Sequence, residues 1–167
     1  LDLDALDAAF AAGARVLLLC HPQNPLGRAF TADELGAWIE CARRYGARIV
    51  SDEVWGPLTF APPGHVPAAS VPGAEDCVTT VTSPAKTFNL AGTKCAVVVA
   101  GSAADARALS RLTSAVNHGT SSLGIAAAVA AYGRGGPWLD SLLEQLRTSR
   151  DTLGRAVLGM TFGCARC

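Results

Sequence analysis

The apolar residues of this chain fall into short continuous runs separated by stretches of helical period. Arg15 to Cys20 (RVLLLC) is apolar after its first residue without alternation, which predicts a strand buried on both faces. Ahead of it, Asp2 or Asp4 can cap a short helix through Ala12. Thr31-Ala32-Asp33-Glu34 has the form of a capping box, and Leu35, Trp38, Ile39 and Ala42 follow at i, i+3, i+4 and i+7, with Gly46 placed to end the helix. Arg48 to Asp52 predicts a second buried strand, so residues 15–52 form a strand-helix-strand unit whose crossover makes its strands parallel.

From Trp55 to Gly73, Pro57, Pro62, Pro63, Pro67 and Pro72 predict loop with short irregular elements. Strand patterns return at Cys77 to Thr82 and at Cys95 to Gly101. Only about a dozen residues separate them, too few for a helical crossover, so these two strands pair antiparallel. Helical patterns then run over Ala103 to Val116, Leu123 to Tyr132 and Pro137 to about Leu158, with Pro137 at a helix start and Gly133 to Gly136 as a helix-ending turn. The expected fold class is α/β: a mixed, mostly parallel sheet flanked by helices.

With 167 residues, 50% hydrophobic and 17% charged, the chain can bury a core, and disorder is excluded. The 14 Lys+Arg balance 14 Asp+Glu, and no basic cluster exceeds Arg43-Arg44, so neither a nucleic acid nor an anionic membrane surface is an expected partner. No apolar run approaches the roughly 20 residues that span a bilayer. The acidic start Leu1-Asp2-Leu3-Asp4 lacks a signal-peptide pattern, which makes the cytoplasm the expected location and reduced thiols the expected state of the six cysteines. Cys20, Cys41, Cys77 and Cys95 fall in apolar patterns and are expected to be small buried hydrophobes. Cys164-Ala165-Arg166-Cys167 has the spacing of a half zinc site or redox pair, but no second pair accompanies it and no metal is assigned.

In open α/β sheets, ligands bind beyond the carboxyl ends of the strands. Three loops lie there. Asn24-Pro25-Leu26-Gly27 is a turn whose Asn-Pro bond is a candidate for the cis isomer. Ser51-Asp52-Glu53 puts the Asp52 carboxylate at the last buried strand position, where it needs a cation or a solvated exit. In Ser83-Pro84-Ala85-Lys86-Thr87-Phe88-Asn89-Leu90-Ala91-Gly92, Lys86 lies among small and apolar residues, a setting in which desolvation makes a lysine an amine nucleophile suited to Schiff-base chemistry. Singly, these residues also suit a turn, a cap and the solvent surface. Together, an Asn, an Asp and a Lys on three sheet-end loops can converge on one heteroaromatic cofactor. His21, His65 and His118 share no ligand spacing and are read as loop or capping residues, and Trp38 and Trp138 as packing on helix faces.

Asn24-Pro25-Leu26-Gly27 with Arg28, Ser51-Asp52-Glu53, and Ser83-x-x-Lys86 followed by Phe88-Asn89-Leu90-Ala91-Gly92 closely resemble the fold-type I pyridoxal phosphate enzymes of the aminotransferase class I/II superfamily. The resemblance runs from about Leu3 to Leu146. Ala85 to Lys94, Leu123-Gly124-Ile125-Ala126 and Gly136-Pro137-Trp138-Leu139 are similar to the branch of cystathionine β-lyases and cysteine-S-conjugate β-lyases. It implies that residues 1–135 are the C-terminal half of a pyridoxal 5'-phosphate-binding large domain, and that 136–167 are the interdomain helix and the start of a small domain.

The resemblance also implies roles. Lys86 would carry the cofactor as a Schiff base and, once released, serve as base and acid at the substrate Cα. Asp52 would keep the pyridinium nitrogen protonated, Asn24 would donate to the cofactor's phenolate oxygen, and Ser83 and Lys94 would hold the phosphate. Trp55 stands where the family usually has Tyr or His, and its indole can donate but not accept. The implied activity is carbon–sulfur β-elimination from cystathionine or cysteine S-conjugates, giving pyruvate, ammonia and a thiol. Amino-group transfer uses the same Lys, Asp and Asn and stays open, as does an inactive partial chain. A small-molecule amino acid is the implied substrate, and a homodimer the implied assembly of a full-length member.

Overall fold

The computed structural model describes residues 2–60, 64–113, 116 and 119–157. Four strands form one sheet in the order β1 (Val16–Cys20), β2 (Arg48–Asp52), β3 (Val78–Thr82), β4 (Val97–Ala100). β1, β2 and β3 are parallel, and β4 runs antiparallel to β3, the mixed sheet that the connection lengths predict. The register sets Cys20 beside Asp52 and Asp52 beside Val81, so three strands end together and release their loops at one edge.

Helix α1 (Leu3–Ala11) starts at Asp2, whose carboxylate accepts from the amides of Asp4 and Ala5. α2 (Ala32–Arg44) carries the complete capping box: Thr31 Oγ1 accepts from Glu34 N at 3.2 Å, and Glu34 Oε2 accepts from Thr31 N at 2.9 Å. Gly46, with φ of +58°, turns the chain out of this helix into β2. The apolar stripe of α2 meets α1 and the sheet in one core, where Phe10, Leu35, Trp38, Ile39, Ile49 and Val78 are buried. Each such side chain contributes roughly 1.5–3 kcal/mol of transfer free energy. Arg48 ties β2 to α4 (Ala103–Leu109) through a salt bridge with the buried Asp105.

The Pro-rich segment holds two 3-10 turns, Gly56–Leu58 and Ala68–Ser70. α3 (Pro84–Thr87) is a single turn after β3, α5 spans Ser122–Arg134, and α6 spans Gly136–Val157. No helix among the described residues is long and apolar enough to cross a membrane.

Several expectations change. Among the described residues β1 is an edge strand, and it is not buried on both faces: Leu18 is 75% exposed because no described element covers the face onto which its side chain points. β4 likewise leaves Val97, Val98 and Val99 open, and α5 leaves Leu123, Ile125 and Val129 exposed. α4 stops at Leu109, short of the expected Val116, where Ser110 caps it. Cys41 and Cys77 are buried as expected, whereas Cys20 and Cys95 are only half-buried. Trp38 packs edge-on against Phe30, but Trp138 remains largely exposed beside Phe88. Cys164, Cys167 and His118 lie outside the described residues.

Candidate functional site

The three loops expected to carry chemistry leave the common edge formed by the carboxyl ends of β1, β2 and β3. Neighbouring strands lie roughly 4.8 Å apart, so groups on adjacent loops are within reach of one small ring. The first loop contains cis peptide bonds at His21-Pro22 and Asn24-Pro25 and is clipped by the bond from Gln23 N to the Arg28 carbonyl. It leaves Asn24 exposed at its tip. Asn24 and Trp55 face a common cavity of about 390 Å³, with Pro22 and Pro25 on one side and Leu58 and Phe60 on the other.

On the second loop, Asp52 is half-buried and its Oδ1 accepts from Val54 N at 3.2 Å. The buried carboxylate is that of the next residue, Glu53, because successive strand residues point to opposite faces. Glu53 Oε1 accepts from Ser51 Oγ at 2.8 Å and Ala68 N at 3.0 Å, and Oε2 lies 2.8 Å from His65 Nε2. Burial pushes the Glu53 carboxyl up, but the hydrogen bonds from His65, Ala68 and Ser51 outweigh this and hold it below its ordinary range.

The third loop starts at Ser83, the N-cap of α3. Its buried Oγ accepts from Ala85 N at 3.0 Å and donates to the Cys95 carbonyl at 2.6 Å, which draws it to the segment carrying Lys94. Lys94 is exposed, with φ of +56°. Lys86, three residues after Ser83, is also exposed rather than enclosed by its small neighbours, since α3 is one turn at the surface. Its Nζ stands 5.2 Å from the centre of the Trp55 ring.

The structure thus pairs Asn24 with Trp55 around one cavity, Trp55 with Lys86, and Ser83 with Cys95, the residue after Lys94. It also joins residues that their sequence spacing leaves apart. His21 and His65, expected as scattered loop residues, have ring centres 4.5 Å apart. His21 is fully buried, with Nε2 2.8 Å from the Val66 carbonyl and Nδ1 accepting from Phe30 N at 3.3 Å, so the neutral Nε2–H tautomer satisfies both contacts. Burial, partly opposed by the Val66 bond, holds its imidazole below the ordinary value. No rule of spacing finds His65, which reaches Glu53 across a Pro-rich loop. The available signal was strand alternation, which points Glu53 inward and so demands a partner. Among the described residues, no group of three or more His, Cys, Asp or Glu is placed to hold a metal ion.

The model of the family described as aminotransferase class I and II matches residues 1–165. A Mycobacterium tuberculosis protein named "Putative cystathionine beta-lyase" is 44% identical over 165 residues, covering 94% of this chain and 40% of that protein. Cystathionine beta-lyase of Corynebacterium glutamicum is 38% identical over 152 residues, covering 90% of this chain and 41% of its own length. A solved Corynebacterium diphtheriae structure, described as a "putative plp-dependent beta-cystathionase", superposes with a TM-score of 0.87 at 38% identity, covering 92% of this chain and 41% of that one. The chain therefore spans about 40% of the length of the relatives it matches. The family match along the chain and a sheet edge that gathers Asn24, Asp52, Ser83 and Lys86 lead to one conclusion: this chain belongs to the aminotransferase class I and II family.

Proposed function

We propose that this chain is part of a pyridoxal phosphate-dependent carbon–sulfur β-lyase that acts on cystathionine or cysteine S-conjugates. The observation that carries the reading is the gathering of Asn24, Asp52, Ser83 and Lys86 at the ends of three parallel strands, with Lys86 Nζ against the Trp55 ring that lines the adjoining cavity. The names of the similar relatives point to the same chemistry. Residues 1–135 would form the second half of the cofactor-binding domain, and 136–167 the interdomain helix and the start of a small domain. A homodimer in the cytoplasm belongs to the same reading.

The donor set fits the cofactor group by group. Asp52 offers a carboxylate to a ring nitrogen, Asn24 an amide N–H to a ring oxygen, and Lys86 an amine to an aldehyde carbon. Lys94 offers a point charge to the phosphate, and Ser83 a hydroxyl that must turn from the Cys95 carbonyl to donate there. The cofactor, when bound, supplies an electron sink for the pair left at the substrate Cα. Asp52 keeps that sink effective by holding a proton on the ring nitrogen. Lys86 takes the Cα proton as base, and as acid can protonate the sulfur that leaves Cβ. Trp55 sets an aromatic face beside the Lys86 amine. The overall change consumes one water, whose oxygen ends in pyruvate, and releases ammonia and the thiol.

The aminotransferase reading rests on the family itself, which carries that name, and on the same Lys, Asp and Asn. A substrate panel separates the two: pyruvate release from cystathionine supports the lyase, and transfer to a keto acid without elimination sinks it. The cofactor assignment is tested by absorbance. A visible band that survives desalting and disappears in Lys86→Ala is the expected result. No band in the parent would leave this chain an inactive piece of its family.

A further inference from the structure

One wall of the cavity beside Asn24 comes from a single loop, whose residues Trp55, Leu58, Thr59 and Phe60 follow β2. Contacts on either side close this loop on itself. Thr59 Oγ1 donates to the Gly56 carbonyl at 3.1 Å and accepts from His65 N at 3.0 Å. The His65 ring presses on Gly56 so closely that a Cβ there would stand 2.7 Å from His65 Cδ2. His65 Nε2 then meets Glu53 Oε2 at 2.8 Å, and Glu53 is anchored in turn by Ser51 in β2, Ala68 and Thr80 in β3. His21, stacked on Phe30, also packs against the His65 ring, with ring centres 4.5 Å apart and the planes tilted by 44°.

An apolar pair of the same volume would close the base of this loop without taking a carboxylate and an imidazole out of water. What the polar pair adds is direction: a hydrogen bond sets the ring's position along and about its axis, whereas apolar contact permits sliding. The wall that depends on that direction carries Trp55, and through it the surface under Lys86 Nζ.

We propose that His65, acting through Glu53, is a positioning residue that holds Trp55 against Lys86 and so shapes the cofactor side of the cavity. The cofactor part of this claim rests on the proposed function; the Trp55 part does not. The test compares the parent chain with His65→Phe, which keeps a ring against Gly56 and His21 but cannot donate to Glu53, and with His65→Gln, whose amide can. Each is followed by the indole N–H resonance of Trp55, identified from Trp55→Phe, by acrylamide quenching, and by pyridoxal phosphate titration. In His65→Phe the resonance is expected to move, quenching to rise and cofactor affinity to fall about tenfold, with His65→Gln recovering most of each. A His65→Phe chain that melts lower yet keeps the parent's Trp55 signals and affinity has lost only structural support, and the proposal fails. Should His65→Phe not fold, Thr59→Val cuts the same chain of bonds at a half-buried site, and an unmoved Trp55 resonance there is equally fatal. If the parent binds no pyridoxal phosphate, the proposed function falls, while the Trp55 resonance still decides the positioning role.

Discussion

Lys86 Nζ and the Trp55 ring centre lie 5.2 Å apart, although the two residues come from loops that leave different strands. A cation at this distance over an indole gains about 0.5–2 kcal/mol, depending on how dry the contact is. The same ring lines the cavity that holds Asn24, so Trp55 connects the amine to the rest of the site. Trp55→Leu is therefore expected to weaken pyridoxal phosphate retention about tenfold while Trp55→Phe weakens it less, as read from the visible band after desalting.

Acid should destabilise the chain in two steps of the same sign. Burial holds the folded His21 imidazole below its ordinary 6.5 against the opposing bond to Val66, so the unfolded chain takes up that proton first as pH falls. The stability from neutral His21 is complete above about pH 6.5 and is lost as pH falls from there towards its folded value. Glu53 is pushed up by burial but held below its ordinary 4.5 by His65, Ala68 and Ser51, so its contribution is complete above that value and lost beneath it. Melting temperatures recorded between about pH 8 and about pH 2 should show both steps, and His21→Gln should lack the upper one. A flat profile across that range would contradict both assignments.

The capping box at Thr31 offers a local check on stability. Removing its hydroxyl orphans the Glu34 amide, so Thr31→Ala is expected to cost about 1 kcal/mol and lower the melting temperature by about 2–4 °C. Thr31→Ser should cost much less, since serine presents the same acceptor.

The exposed apolar surface predicts self-association. Leu18 on β1, Val97 to Val99 on β4 and Leu123 on α5 are open to solvent, and among the described residues both outer strands of the sheet lack a partner on one side. Sedimentation of this chain alone should show association that grows with concentration. A charge at Val98, as in Val98→Lys, should reduce it, and an unchanged distribution would place the contact elsewhere.

The local elements were legible because their causes are local. Thr31 and Glu34 close the capping box from within four residues, and the stripe Leu35, Trp38, Ile39, Ala42 faces one way through helical period alone. The antiparallel pairing of β3 with β4 followed from connection length, and the loop-bearing edge from the parallel unit of β1 and β2. Asn24, Asp52 and Lys86 could be picked out for the same reason, since each lies on a loop that leaves the end of a strand, whereas Ser83 and Lys94 were named only through the family resemblance.

Exposure and long-range pairing were not legible, because they depend on what lies across the fold. An apolar run has the same sequence whether or not another element covers its face of the sheet, so Leu18 reads as buried and is open. Alternation along β2 distinguishes Asp52 from Glu53 by face, but only the packed structure decides which face is dry and which carboxylate therefore needs partners. His65 finds Glu53 twelve residues away through a turn built on Gly56 and Thr59, a closure that no periodicity encodes. The sequence by itself determined the elements and the strand ends that carry the candidate residues. The tertiary structure decided burial, the Glu53–His65–His21 cluster and the meeting of Lys86 with Trp55, since each of these requires two separate segments to exclude water from the same place.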